Sequence, residues 1–452
     1  MERRDRSVRR CRRGPLDGGD PDPVRGDRPR RAAPGLGGAQ LSEKAARRLA
    51  AGRLAGADRL RPAHFRPASL RPRLAGAASV KNRCDLIVIG GGPAGASCAE
   101  RAARLGLSVA LLERARFPRP KPCAAGISVR AMPVLGELPG ELVHARPGIG
   151  EIVLSNDTEL IWRGGVPAVL TTTRAELDLH LLDRARRAGA HVVEGAAARI
   201  RDATGSCVVE AGGDRWSAPW IVAADGAAGG SRAALGIDPL RVAGAVYVRV
   251  LLDASRLESH HNRAIFDLRA VRSGYGWVFP KRDHLSVGVY QRRPVGRRLR
   301  AALTGFLREW GFGDDPLEGP FASPVPLRAG PFGSERVLLA GDAAGLADPI
   351  TGEGIPHAVE SGRAAAECVA SALASGEDAL ADYRNGIRRG ALSRVNEFRF
   401  LGRLVYAVGS EFIGRVLMTP VMRGLAGRIA PSFSTNTCEE LHVRRTGARR
   451  SR

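Results

Sequence analysis

Residues 84–115 read CDLIVIGGGPAGASCAERAARLGLSVALLERA, and this stretch decides how the rest of the 452-residue chain is read. Asp85–Ile89 is an apolar run of β type, a helical pattern follows the glycines as far as Leu105, and Ser108–Leu112 is a second apolar run that stops at Glu113. The spacing predicts a β–α–β unit with Gly90, Gly92 and Gly95 in GxGxxG order. Gly90 permits the tight turn, Gly92 lets a pyrophosphate approach the backbone, and Gly95 lets helix and strand pack closely. Ala94 lies in the same turn, where the helix N-terminus offers free N–H groups and partial positive charge to phosphates. Glu113 ends the second strand, in position to accept hydrogen bonds from a ribose. The unit predicts a dinucleotide site and does not by itself separate NAD from FAD.

Downstream, residues 174–188 read as a helix followed by a strand, and 218–232 as a buried strand opening into a small-residue loop with Asp225. Residues 240–325 are richer in β-type runs, including VAGAVYVRVLL and LSVGVY, and predict a separate sheet. At 335–373 the pattern returns to strand, Gly-Asp turn, loop and helix. The expected architecture is α/β: a discontinuous Rossmann-type nucleotide-binding domain (84–144, 168–239 and 325–385) with an inserted β-rich substrate domain (145–167 and 240–324). A C-terminal helical region is expected at 386–431. Basic, disordered segments are expected at 1–83 and 432–452.

Three pieces converge: the N-terminal fingerprint, LLAGDAAG at 338–345, and GEGI at 352–355 opening a helix. Together they resemble the FAD-binding domain of the p-hydroxybenzoate hydroxylase fold group. That resemblance implies that Asp342 holds the ribityl chain, that Gly354 and Ile355 point a helix N-terminus at the flavin pyrimidine, that Arg174 contacts the cofactor, and that Ala198 makes a backbone contact near the adenine. A reduced flavin carries negative charge near N1–C2=O, which helix-end N–H groups stabilise. An ordinary NAD dehydrogenase would leave the distant Gly-Asp motif without a role.

Within that group two segments resemble the geranylgeranyl reductase family. One is Lys121-Pro122-Cys123-Ala124-Ala125-Gly126, which in the family form is Lys-x-Cys-Gly-Gly-Gly; the other is GYGWVFPK at 274–281, similar to Tyr-x-Trp-x-Phe-Pro. Alanines replace two family glycines after Cys123, and Arg272 stands where a proline often precedes the tyrosine motif. The resemblance spans about residues 84–430. It implies FAD as cofactor, NADPH or a reduced ferredoxin as electron donor, and saturation of C=C bonds in an isoprenoid chain. Two other activities share the fold, flavin monooxygenase and halogenase. An electron-transfer flavoprotein–quinone type dehydrogenase is a further alternative, although its usual iron–sulfur partner needs a cysteine cluster that this chain lacks.

Tyr275, Trp277 and Phe279 alternate, so on a strand they share one face. Such a face serves either as a substrate-binding wall for a polyprenyl chain or as a packed core stripe. Cys123 is the candidate catalytic residue: the resemblance places it, with Ala124 and Gly126, beside the flavin, where it either shapes the cavity or supplies a proton. Thiols are mostly protonated at neutral pH. His357 is expected to face solvent, and His260 and His261 to lie in a loop.

Composition sets the outer limits. Residues 1–83 hold 22 of the 70 Lys and Arg but only 8 of the 46 Asp and Glu, so 14 of the 24 net positive charges lie there. The total charge is therefore no argument for nucleic-acid binding. A start codon placed upstream of the true one and a basic arm touching anionic surfaces both account for it. The arm has neither the apolar core of a secretory signal nor the acid-poor composition of a transit peptide. The seven cysteines (11, 84, 98, 123, 207, 368 and 438) include no CxxC pair, so neither a zinc site nor a disulfide framework is expected. No run of 18 apolar residues predicts a transmembrane helix. Cytoplasmic location is expected, with peripheral contact on the inner membrane surface through 398–430, where Arg alternates with Leu, Val and Phe.

Overall fold

The computed structural model describes residues 82–128, 131–155, 158–164, 167, 169–203, 205–293, 296–327, 330–390 and 438–445. The chain starts its central sheet with β1 (Leu86–Ile89), turns into α1 (Pro93–Arg104) and returns along β2 (Val109–Glu113). All four residues of β1 are buried, as a strand covered on both faces requires. Gly90 takes φ +99°, and a Cβ on Gly95 would sit 1.8 Å from the Gly90 carbonyl oxygen. Only glycine admits that approach of helix to strand.

The chain then runs through β3 (Gly126–Ser128), β4 (Ile149–Val153), β5 (Thr158–Gly164) and β6 (Val169–Thr171). Next come α2 (Arg174–Arg187), β7 (His191–Glu194) and β8 (Trp220–Ala223). The Thr173 side chain caps α2 by accepting from the Glu176 N–H, a local reason for the helix to begin there. The β-rich region follows: β9 (Val242–Val250), α3 (Ala254–His261), β10 (Arg263–Asp267), β11 (Gly274–Pro280), β12 (Leu285–Gln291), α4 (Gly296–Glu309) and β13 (Leu317–Pro326). The chain closes with β14 (Gly333–Ser334), β15 (Val337–Leu339), α5 (Ile355–Ser375), α6 (Ala379–Arg389) and β16 (Cys438–Arg445).

The six-stranded sheet has the order β14-β15-β8-β1-β2-β7, parallel except for the edge pair β14–β15. Strands from three separated parts of the sequence thus form one layer, as expected for a discontinuous Rossmann-type domain. Helix α1 packs on both α2 and α5. The eight-stranded sheet has the order β13-β9-β12-β11-β10-β4-β5-β16, antiparallel except for β4 against β10. Its two faces are chemically distinct. Val246, Val248, Val278, Val287 and Val289 pack under Leu299, Leu303 and Phe306 of α4. The opposite face gathers Tyr247, Trp277, Phe279 and Tyr290.

Several expectations are corrected. Within the tail expected to be disordered (432–452), Cys438–Arg445 forms β16, paired antiparallel with β5. The arginines masked a short alternation of Leu441 and Val443, and the free edge of β5 offers a ladder of N–H and C=O groups. His260 and His261 close helix α3, which Asp253 caps by accepting from the Arg256 N–H. His357 is 9 % exposed, on the first turn of α5. Strand β13 runs to Pro326 and α6 to Arg389, so the expected boundaries at 324 and 385 each cut through an element. Residues 391–431 of the expected C-terminal helical region, including all of 398–430, and the arm 1–81 lie outside the described residues.

Candidate active site

The aromatic face of the large sheet and the glycine turns of the nucleotide domain meet at one cavity of about 240 Å³. Its wall contains Gly92, Pro93 and Ala94 from the start of α1, and Gly354 and Ile355 from the start of α5. No side chain caps either helix at Gly92 or Gly354. Two helix N-termini therefore present free N–H groups and partial positive charge to the same space. Asp342 lies between them, its Oδ1 3.3 Å from where a Cβ on Gly354 would stand. Lys121 Nζ is 3.3 Å from Asp342 Oδ2.

Arg174 also lines the cavity, 7 % exposed, with Nε and Nη2 donating to the two carboxylate oxygens of Asp178 at 2.7 and 2.8 Å. Arg119 reaches the same carboxylate, Nη2 to Oδ2 3.3 Å, and its guanidinium stands 3.7 Å from the Cβ position of Gly92. Two guanidiniums thus share one carboxylate, which leaves a net positive charge beside the glycine turn, where a pyrophosphate needs it. Arg119 escaped the sequence reading; its signal was a basic residue two positions before Lys121 in the stretch ahead of Cys123.

Glu113 is buried and holds the turn itself, with Oε2 accepting from the Gly91 N–H at 2.6 Å and Oε1 from the Ala115 N–H at 2.8 Å. Gly90, Gly95, Glu113 and Ala198 are outside the cavity wall; Ala198 packs half-buried against the core of the nucleotide domain. The remaining expected residues, Cys123, Ala124, Gly126, Tyr275, Trp277 and Phe279, are all brought to the wall. The Cys123 thiol is half-buried and its Sγ accepts from the Ala125 N–H at 3.3 Å. No group of three or more candidate metal ligands occurs among the described residues.

The aromatic wall is fixed by polar anchors at its edges. Tyr290 Oη donates to the Pro349 carbonyl at 3.1 Å, Tyr275 Oη donates to the Thr351 carbonyl, and Trp277 Nε1 donates to Ser286 Oγ at 3.2 Å. The rings therefore keep their apolar faces for the cavity while their polar atoms are satisfied.

Two charged residues not anticipated from the sequence complete the site. Lys281, 2 % exposed at the end of the aromatic motif, donates from Nζ to the carbonyls of Ala124 (2.8 Å), Ala125 (3.0 Å) and Thr172 (2.7 Å). Burial pushes its pKa down to about 7. Glu353, in the turn before α5, is on the cavity wall and half-buried; Oε1 accepts from the Ser128 N–H at 3.0 Å and Oε2 from Ser128 Oγ at 2.9 Å. Burial pushes its pKa above the ordinary value, against the pull of the Ser128 bonds.

The donor set fits a dinucleotide with an isoalloxazine end: positive charge and a glycine turn at one side, an aspartate and a helix N-terminus in the middle, and aromatic rings beyond. These features define an FAD-dependent oxidoreductase. The FAD binding domain model matches residues 83–300. Menaquinone reductase of Mycobacterium tuberculosis is 33 % identical over 320 residues, 65 % of this chain and 78 % of that protein. The chloroplastic geranylgeranyl diphosphate reductase of rice is 32 % identical over 323 residues, 65 % of this chain and 68 % of that protein. A geranylgeranyl bacteriochlorophyll reductase-like protein of Thermoplasma acidophilum shares the fold at a TM-score of 0.65, with 22 % identity over 74 % of this chain and 90 % of that one. The chain belongs to the geranylgeranyl reductase family.

Proposed function

We propose that this enzyme saturates C=C bonds in an isoprenoid or polyprenyl chain, with NADPH or a reduced ferredoxin as the electron source. The observation that carries this reading is the common wall: Tyr275, Trp277 and Phe279 line the same cavity as Gly354, Asp342 and Cys123. A long hydrocarbon offers methyls and double bonds but few hydrogen-bonding groups, and a face of three rings suits it.

FAD, when bound and reduced, supplies the hydride equivalent from its N5 position. Lys121, Asp342 and Arg174 would hold the cofactor's polar chain, and the net charge of the Arg119–Asp178–Arg174 group would attract its pyrophosphate. The N-terminus of α5 stabilises the negative charge of the reduced ring. Tyr275, Trp277 and Phe279 exclude water and hold the alkene against the ring. An isolated alkene accepts hydride poorly, so such alignment matters. The proposed cellular site is cytoplasmic, with peripheral contact on the membrane surface where polyprenyl substrates reside; among the described residues no helix is long and apolar enough to cross a bilayer.

The test is anaerobic incubation of the reduced enzyme with geranylgeranyl substrates, read by mass spectrometry. A gain of two mass units per reduced bond is expected. Unchanged substrate, or rapid oxygen consumption with an aromatic substrate, would instead favour the monooxygenase or halogenase chemistry of the same fold. Sedimentation with anionic liposomes, with and without residues 398–430, checks the membrane contact.

A further inference from the structure

Reduction of an alkene needs a proton as well as a hydride, and beyond the Cys123 thiol the sequence names no acid for it. The geometry points to Glu353 as the catalytic residue that protonates the second alkene carbon. This rests on the alkene-reductase reading of the site. Among the carboxylates of the cavity wall, Asp342 is engaged in an ion pair with Lys121, Nζ to Oδ2 3.3 Å. Glu353 forms no ion pair with a lysine or arginine among the described residues, and the pull of His357 on its pKa is outweighed by burial. Its partners are the neutral Ser128 N–H and Oγ, and burial favours its protonated form.

The carboxyl on the cavity wall is also held in place. Ser128 ends β3, only five residues after Cys123, so the Ser128–Glu353 pair ties the Cys123 loop to the start of α5. The loop in front of Glu353 is pinned by Asp348, whose Oδ1 accepts from the N–H groups of Ile350 (2.7 Å) and Thr351 (2.9 Å). The same loop accepts the hydroxyls of Tyr290 and Tyr275 at Pro349 and Thr351. The aromatic wall that would hold the alkene and the carboxyl that would protonate it are thus parts of one braced unit. The charged groups facing Glu353 are His357 on α5 and Asp348 in the preceding loop, with Lys121, Arg174 and Asp342 elsewhere on the cavity wall.

The step balances. A hydride from reduced FAD forms one C–H bond, the Glu353 proton forms the other, and the C=C π bond is lost. FAD is left oxidised and Glu353 is left as a carboxylate, to be reprotonated from solvent before the next turnover. The two-electron reductant is the nicotinamide or ferredoxin-class donor that reloads the flavin.

The test compares wild type, Glu353→Gln and Glu353→Asp as FAD-loaded proteins, reduced with dithionite and mixed anaerobically with geranylgeranyl diphosphate. All three are expected to hold FAD with the same visible spectrum and to be reduced alike. Flavin reoxidation by the alkene is expected to fall ~100-fold or more in Glu353→Gln, with partial recovery in Glu353→Asp. Infrared difference spectra at neutral pH give a readout independent of turnover: a protonated carboxyl C=O band, shifted in 2H2O, present in wild type and absent from Glu353→Gln. Reoxidation of Glu353→Gln at the wild-type rate, or no difference in that band, overturns the assignment while the alkene-reductase reading stands. A wild-type enzyme that no alkene reoxidises overturns both.

Discussion

Lys281 Nζ donates to the carbonyl oxygen of Ala125 at 3.0 Å, and Ala125 holds φ +46°, in the left-handed region that favours glycine. A buried ammonium at the end of the aromatic strand thus braces the strained turn that carries Cys123 to the cavity. Two further carbonyls, of Ala124 and Thr172, fill its remaining donor positions. That is the full complement of an –NH3+ group.

Replacing Lys281 with methionine leaves three buried carbonyls without their donor. The expected loss is about 3–5 kcal/mol of stability, together with poor FAD retention. Urea denaturation and the flavin-to-protein absorbance ratio of the purified variant check both.

The same residue predicts a pH dependence. In the unfolded chain the amine titrates near its ordinary value of about 10.5, and in the fold at about 7. Between these values the unfolded chain carries the extra proton, so the contribution of Lys281 to stability falls as pH is lowered from about 10 toward 7. Subtracting the stability profile of Lys281→Met from that of wild type should isolate that slope. A flat difference would contradict it.

Ala125→Gly removes the left-handed strain while adding backbone freedom to the unfolded chain. The first effect is worth about 1–2 kcal/mol and the second about 0.5–1 kcal/mol in the opposite direction. A net stabilisation of roughly 0.5–1 kcal/mol is expected, visible as a higher urea midpoint with FAD content unchanged.

Gly126 lies against the aromatic wall. A Cβ there would stand 2.7 Å from Phe279 Cε2 and 3.0 Å from Cδ2, so Gly126→Ala must displace that ring. The variant is expected to keep its fold but to raise KM for a polyprenyl substrate at least ~10-fold, since an apolar contact worth about 1.4 kcal/mol per decade is lost. Steady-state kinetics check this, and Gly126→Ala with Phe279→Leu should recover part of the loss.

Tyr290→Phe deletes one hydrogen bond to the Pro349 carbonyl and leaves the ring in place. A cost of about 0.5–1.5 kcal/mol is expected. Because that loop precedes Glu353, single-turnover reoxidation should slow more than FAD binding weakens.

Much of this protein was legible before its coordinates. The β–α–β unit at 84–115 follows from local periodicity and three glycines, because strand, turn and helix are each set by residues within a few positions of one another. The shared face of Tyr275, Trp277 and Phe279 follows from the two-residue period of a strand, and they line the cavity together. His357 was misjudged because a single polar residue carries no burial signal of its own, and β16 because its pairing partner lies some 280 positions earlier.

What the chain alone determined is the set of local conformations and the cofactor they imply, since hydrophobic period and glycine placement act over short range. Tertiary structure decided which groups carry charge at the site and where. Lys281 meets carbonyls more than 100 positions away, Glu353 meets Ser128 across 225, and Arg119 joins Arg174 on Asp178 only when the helix is packed. Protonation depends on dielectric surroundings and on partners, and both exist only once distant segments have come together.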